Sequence, residues 1–370
     1  MSCTEKKKED VVEKIIYFDS QKNIKLYDMK DIMDSTFLII PLETNNEALI
    51  GEIKKLEIRN NRIYVMDQMS QSVYIFDMDG KYLNKKMAIG QGPGEYVNLS
   101  YMTVTDSSLI VIDHFMGKQI EYELPSLKLI GEERIFEKIW INEVFYLNGY
   151  IYYMNEYNDI GTGKFKLYSR KSNTEDFNKY LPFSEERPLS LGIGGTQYAI
   201  NGDEISLVYM GNDKIYRLRD GQAYPEYEMR YKDEKVVYNS GKVENVFSDN
   251  PSGRVIGIGG INESDKYLFI DISFTGETSL YTCLYNKHDG STIIYQKSAI
   301  NSNFSEYMNI KADRIIDNRL ICWYDASVIV HLFPPQFLSF TNKEYERRYK
   351  NMCENLKDED NPVLFIYNLK

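Results

Sequence analysis

The stretch IYVMDQMSQSVYIFDMDGKYL, residues 63–83, decides the fold class. It reads as an apolar strand, an Asp, a short polar turn, an aromatic strand and a second turn. The same order returns in LIVIDHFMGKQIEYELPSLKLI, residues 109–130, where Asp113 follows Asp67 by 46 residues. A strand-rich unit that recurs about every 40 to 50 residues is typical of propeller blades, in which each sheet packs against its neighbours.

Weaker copies of the unit follow at similar intervals. They occupy residues 150–170, 205–224, 266–290 and 319–333. Three glycine-rich segments precede the second, fourth and fifth units and are interpreted as links between blades: GQGPG at 90–94, GIGG at 192–195 and GIGG at 257–260. The six units predict an all-β fold, a six-bladed β-propeller.

Length and composition agree with this fold. The 370 residues exceed the usual size of a domain with a single core, but a propeller distributes its core between blades. The 31 Tyr suit pleated strands. Because no Pro-, Ser- or Gly-rich linker divides the chain, we expect residues 35–370 to form one propeller, preceded by a tail and linker at 1–34.

The C-terminal part has a helical pattern. Thr341 and Glu344 fit a capping box, and apolar residues recur at helical spacing, which predicts an amphipathic helix over 342–357 packed on the ring. NPVLFIYNLK at 361–370 and TFLIIPLE at 36–43 both read as strands. We expect these two strands to meet in one blade, because their pairing would remove an open sheet edge.

Three segments carry a resemblance to a known family: GQGPGEY at 90–96, FDMDGKYL at 76–83 and the final NPVLFIYNLK. They resemble the six-bladed β-propeller lipoproteins of Bacteroidetes, which are distantly similar to NHL- and TolB-type propellers. The resemblance covers the chain from about residue 35 onward, as an order of repeats. It implies a fold and a place in the cell envelope, and it transfers no catalytic residue.

The amino terminus fits the same location. In MSCTEKKKEDVV, Cys3 follows a small residue and precedes a charged stretch, as at the lipidated Cys of a lipoprotein, although the apolar segment of a signal peptide is missing. Either Cys3 is a lipidation site that holds the protein at the periplasmic or outer surface, or it is an ordinary thiol. No stretch approaches the 18 or so apolar residues of a membrane helix.

Composition and motifs argue against several functions. The net charge of −11 disfavours nucleic acid as a partner. The three His form no zinc-binding pattern, and the glycine-rich segments lack the residues that follow in nucleotide-binding loops. Apart from Cys3, the Cys number three, so we expect buried thiols at Cys283 and Cys322 rather than a disulfide framework.

The repeated acids are the main candidate site. The set comprises Asp67, Asp113, Asp271 and Asp325, with Asn155 at the corresponding position of the third unit. At the ends of inner strands these carboxylates would converge on the axis, where they could bind Ca²⁺ or act as a general acid and base. In the favoured alternative each Asp caps its own turn by accepting backbone N–H bonds, and no cofactor is bound.

The sequence thus favours a binding or scaffold protein for a glycan or peptide. Its candidate binding residues are Asp67, Glu95, Tyr96, Asp113, His114, Asp271 and Asp325. Tyr96, Tyr101, Trp140 and Trp323 are candidates for stacking on sugar rings. The rival hypothesis is a hydrolase, lyase or lactonase that uses the axial acids, since fold alone does not choose between these functions.

Overall fold

The computed structural model describes residues 12–22, 24–26, 32–135, 141–155, 163–171, 174–183, 196–209, 212–219, 221–236, 252–296 and 314–370. These residues form six sheets of four or five strands, and the predicted six-bladed β-propeller is confirmed. The backbone separates into two compact units. The larger comprises residues 29–185 and 301–370, and the smaller comprises 1–28 and 186–300.

The larger unit contains four sheets, here numbered as blades in chain order. Blade 1 consists of β4 (Ile53–Arg59), β5 (Arg62–Asp67), β6 (Ser72–Asp77) and β7 (Tyr82–Lys86). Blade 2 consists of β8 (Tyr101–Val104), β9 (Ser108–Asp113), β10 (Lys118–Glu123) and β11 (Leu129–Arg134). Blade 3 consists of β12 (Glu143–Leu147), β13 (Tyr150–Met154), β14 (Phe165–Lys171) and β15 (Asn178–Pro182). Blade 6 consists of β24 (Arg314–Ile316), β25 (Arg319–Tyr324), β26 (Val363–Leu369) and β3 (Met33–Pro41).

The smaller unit contains two sheets, each with a fifth strand from the amino-terminal segment. Blade 4 consists of β16 (Tyr198–Asn201), β17 (Glu204–Leu207), β18 (Lys214–Arg219), β19 (Gln222–Tyr231) and β1 (Lys14–Phe18). Blade 5 consists of β20 (Val255–Glu263), β21 (Tyr267–Phe274), β22 (Glu277–Asn286), β23 (Thr292–Gln296) and β2 (Ile24–Leu26). β1 and β2 pair in parallel with β19 and β23, so the predicted tail supplies two strands that its sequence did not reveal.

The predicted meeting of the two ends of the chain is confirmed. β3 and β26 run antiparallel in blade 6, with Pro41 opposite Val363 and Phe37 opposite Tyr367. An edge strand exposes a row of unpaired backbone groups, and β3 covers that edge of β26. The first and last strands of the larger unit are thereby held in one sheet.

The strands read as apolar runs because both of their faces are buried. In β5, Ile63 and Val65 pack with residues of blade 6, whereas Tyr64 and Met66 pack with blade 2. Side chains alternate across a strand, so one run of four apolar residues fills two cores between blades. This is the physical basis of the repeated unit.

Two of the sequence expectations were wrong in detail. GIGG at 257–260 is part of β20, with irregular register, and does not link blades, while GIGG at 192–195 lies outside the described residues. The second half of the sixth unit is a helix, α1 (Ala326–Leu332), rather than a strand. GQGPG does link β7 to β8, as expected.

The predicted C-terminal helix is present as α2 (Lys343–Cys353). Asn342, not Thr341, is its N-cap, and its side chain accepts hydrogen bonds from the backbone N–H groups of Glu344 and Tyr345. The buried face carries Tyr345 and Tyr349, and the Tyr345 hydroxyl lies 2.9 Å from that of Tyr367 in β26. None of the helices in the described ranges is long and apolar enough to cross a membrane.

Several buried charges of the smaller unit are paired with one another. In the smaller unit, both guanidinium NH₂ groups of Arg217 donate to Glu263 at 2.9 Å, and Nε donates to Glu226 at 2.7 Å. Lys287 Nζ donates to Glu263 at 2.8 Å. Burial alone would raise the pKa of the Glu263 carboxyl, but the bonds from Arg217 and Lys287 hold that pKa below its ordinary value.

The cysteine prediction is confirmed for Cys283 and Cys322. Both thiols are buried in strands, neither forms a disulfide, and the Cys322 thiol donates to the carbonyl of Phe365 at 3.8 Å. Burial raises the pKa of Cys283 to about 12, so this thiol is a packing residue and a poor nucleophile.

Candidate binding face of the first two blades

The Asp67 carboxylate holds the loop that leads into blade 1. Its two oxygens accept hydrogen bonds from the backbone N–H groups of Gly51 and Glu52, both at 3.0 Å, and from Met69 at 2.9 Å. The hydroxyl of Ser70 donates at 2.7 Å. This buried side chain therefore ties the leading loop to the β5–β6 hairpin.

Asp113 repeats the arrangement in blade 2 at the same sequence offsets. Its carboxylate accepts from the N–H groups of Val97 at 2.6 Å and Asn98 at 3.1 Å, which precede it by 16 and 15 residues, as Gly51 and Glu52 precede Asp67. Met116 N–H donates to the other oxygen at 3.0 Å. The interpretation of these two acids as turn caps is confirmed, and each cap also reaches a second loop. We call the pair the Asp braces.

The other predicted acids do not share this position. Asp271 lies inside β21, where its carboxylate accepts from the hydroxyl of Thr282 at 2.7 Å. Asp325 is exposed at the start of α1, and its side chain makes no capping hydrogen bond. Asn155 follows β13, and its amide donates to the carbonyl of Phe165 at 3.0 Å.

Asp67 and Asp113 also do not lie at the ends of the first strands of their blades. β5 and β9, which carry Asp67 and Asp113, are second strands, while the first strands β4, β8 and β12 lie side by side. Within the described part of the chain, no group of three or more His, Cys, Asp or Glu is placed to hold a metal ion.

A buried lysine occupies the region of the first strands instead. Lys55 in β4 donates from Nζ to the carbonyl of Met102 in β8 and to Glu143 in β12, both at 2.9 Å, and lies 3.1 Å from Glu57. A buried charge is costly unless it is paired, so these bonds hold the first strands of three blades together.

The GQGPGEY loop is fastened between blades 1 and 2. Glu95 accepts a hydrogen bond from the Gly92 N–H at 2.9 Å, and a side chain at Gly90 would collide with this carboxylate. Tyr96 is fully buried, and its hydroxyl donates to the carbonyl of Gln71 at 2.8 Å. Burial raises the pKa of Tyr96 to about 12. Glu95 and Tyr96 thus shape the loop from within, and Tyr96 offers no surface for stacking.

His114 lies on the same side of blade 2 as the Asp113 brace. Its Nδ1 is 2.5 Å from the hydroxyl oxygen of Ser100, and its ring centroid is 4.1 Å from that of Phe115. The imidazole is therefore oriented by Ser100 and covers one side of an exposed ring.

Sequence reasoning missed the exposed apolar residues beside the Asp braces. Met69 and Phe115 each follow their brace by two residues, and they are 72% and 70% exposed, the highest values among large apolar side chains in the described ranges. Leu49 and Val97, on the two leading loops, are 55% and 44% exposed. The sequence could have indicated these residues, since positions 69 and 115 are equivalent in the repeated unit and both are apolar. We call these four residues the loop face.

The proposed stacking residues lie elsewhere. Tyr101 and Trp323 pack against cores between blades, and Trp140 lies outside the described residues, as does Cys3.

Comparison with known protein families finds a match over almost the whole chain. A family model for a domain of unknown function, DUF4934, matches residues 12–368. The chain belongs to this family. Comparison with curated proteins finds no match.

Two solved structures resemble this DUF4934 protein in fold. A protein from Bacteroides fragilis, described as a candidate exported protein, has a TM-score of 0.72 and 18% identity over 96% of this chain and 99% of its own. A DUF4221 family member from Bacteroides vulgatus has a TM-score of 0.54 and 12% identity over 92% of this chain and 97% of its own. At these identities the likeness concerns the fold, and the relation to NHL- and TolB-type propellers stays a prediction.

The hydrogen bonds of the Asp braces predict that replacing Asp67 destabilises the protein more than replacing Asp325. Asp67→Ala removes four hydrogen bonds to a buried carboxylate and should lower the free energy of unfolding by about 2–4 kcal/mol in urea titrations. Asp325→Ala, the matched control on an exposed side chain, should change it by less than about 0.5 kcal/mol. Calcium should leave the melting temperature of the wild type unchanged. A calcium-dependent rise that Asp67→Ala abolishes would show that Asp67 is a metal ligand instead.

Proposed function

We propose that this protein is a binding or scaffold protein of the cell envelope whose loop face receives apolar side chains of a polypeptide partner. The observation that carries the proposal is the equivalent placement of Met69 and Phe115, exposed beside two buried Asp braces. Exposed apolar side chains that recur together mark interaction surfaces more often than single ones do.

The braces matter for affinity because they order the surface before a partner arrives. The leading loops are bonded to Asp67 and Asp113, so less conformational entropy is lost on binding than at a mobile loop. Methionine adapts to differently shaped partners, and phenylalanine offers a large rigid contact.

The composition of the loop face favours a polypeptide over a glycan. Three of its four side chains are aliphatic or thioether groups, whereas sugar rings stack on flat aromatic faces. The hydrolase, lyase or lactonase alternative is less favoured, because the Asp67 and Asp113 carboxylates are engaged as hydrogen-bond acceptors for the loops.

Selection from a random peptide display library tests the proposal. Peptides rich in aromatic and aliphatic residues should be enriched on the wild type, and their affinity should fall about tenfold or more for a Met69→Ala, Phe115→Ala double variant, since central apolar contacts dominate such interfaces. Tyr17→Ala is the control, because Tyr17 is similarly exposed but lies on β1. Binding of an arrayed glycan without peptide enrichment, or equal peptide binding by the double variant, would refute the proposal.

The location is proposed from the amino terminus. Cys3 would carry the lipid that anchors the protein, supported by the small residue before it, the charged stretch after it, and the description of the B. fragilis neighbour as a candidate for export.

Cell fractionation tests this anchor. The precursor, expressed with a lipoprotein signal in a Bacteroides host, should sediment with membranes, and Cys3→Ala should move it to the soluble fraction because the acylated residue is lost. Cys353→Ala, which removes a different partly exposed thiol, should leave it with the membranes. If wild type and Cys3→Ala distribute alike, Cys3 is not an anchor.

A further inference from the structure

A cavity of about 250 Å³ lies between blades 2 and 3, apart from the loop face. Its lining includes Gln119, Glu121, Glu133, Ile151, Arg170 and Glu175. The strands β10 and β11 supply one wall, and β13 and β14 supply the other. The cavity thus combines an apolar surface at Ile151 with four ionisable side chains.

The single cation in this lining is already neutralised. Arg170 is only 4% exposed, and its two guanidinium NH₂ groups donate to the two oxygens of Glu133, one of them at 2.9 Å. Its Nε donates to the Tyr153 hydroxyl at 3.3 Å, and an NH₂ group donates to the carbonyl of Thr174. Burial alone would lower the pKa of Arg170, but the bonds to Glu133 raise it above its ordinary value. Arg170 and Glu133 form a closed pair that keeps no net charge.

Two further carboxylates leave the cavity negative. Glu121 accepts a hydrogen bond from the hydroxyl of Ser108 at 2.6 Å, which satisfies part of its acceptor capacity without compensating its charge. Glu175 is exposed at the mouth. In the described part of the chain neither carboxylate has a cationic partner within ion-pair distance, so the lining carries two uncompensated negative charges.

We propose that this cavity binds an alkylammonium group. An ammonium head has three donors, which suit the oxygens of Glu121 and Glu175, and charge-assisted hydrogen bonds of this kind are stronger than neutral ones. The alkyl chain behind the head would lie against Ile151. A short diamine and the side chain of a lysine residue carry the same chemistry.

An anion fits the cavity less well. It would have to displace Glu133 from Arg170, which would break their bidentate pair. It would also approach Glu121 and Glu175, whose negative charges repel it. Once Arg170 and Glu133 are paired, the negative charges of Glu121 and Glu175 remain. These two charges favour a cation over an anion.

Isothermal titration calorimetry with three five-carbon probes tests the proposal. Cadaverine should bind saturably, whereas 1,5-pentanediol and glutarate, the neutral and anionic analogues, should not. N-acetyl-lysine amide distinguishes the two sources of the ligand: binding of this probe as tight as that of cadaverine points to a lysine side chain, and tighter binding of cadaverine points to a free diamine. Either pattern supports the site, and absence of binding by both cationic probes overturns it.

Variants locate the binding. A Glu121→Gln, Glu175→Gln double variant keeps the side-chain shape and should weaken cadaverine binding about tenfold or more, because both charge-assisted contacts are lost. Glu354→Gln with Glu359→Gln removes the same charge from exposed positions at and beyond the end of α2 and should bind as the wild type does. Equal affinity of the first double variant and the wild type, or tighter binding of glutarate than of cadaverine, would overturn the proposal. The loop-face double variant should bind cadaverine normally, so the two proposals fail separately.

Discussion

The loop face depends on one constraint. The backbone N–H groups of the leading loops need hydrogen-bond acceptors, and because these loops lie outside any sheet, no neighbouring strand supplies them. Asp67 and Asp113 supply those acceptors from the ends of buried strands, at matching offsets in two consecutive blades. Each carboxylate also caps its own hairpin, so loop and hairpin are fixed to each other. Since Asp67 and Asp113 are themselves buried, each carboxylate needs these donors to offset the cost of its burial, and the cap and the brace make these positions intolerant of change.

The apolar exposure of Met69 and Phe115 follows from the same geometry. Once the Asp turns inward to accept hydrogen bonds, the residue two positions later is carried onto the outside of the hairpin. A polar residue at either exposed position would cost little stability. Large apolar groups at both equivalent positions are the basis of the proposed contact with a polypeptide partner.

The sequence revealed the blades because β5 and β9 are buried on both faces and recur with an Asp at their ends. It could not reveal β1 and β2, which pair with strands about 200 residues or more away and carry no local turn signal. Asp271 and Asp325 match the repeated unit in sequence but not in structure. Asp271 lies inside a longer strand, and Asp325 precedes a helix that replaces the expected strand. The cavity between blades 2 and 3 was also hidden, because Glu121, Arg170 and Glu175 come together only when two sheets pack.

Hydrogen exchange measured on the amides of Gly51, Glu52, Val97 and Asn98 tests the central claim about the Asp braces most directly. These residues lie outside strands and would exchange quickly without tertiary acceptors. The structure predicts that all four amides exchange as slowly as those of the neighbouring strands in the wild type. In Asp67→Ala only Gly51 and Glu52 should become fast, while Val97 and Asn98 stay slow. Fast exchange of all four amides in the wild type would contradict the account, because the carboxylates would then not hold the loops.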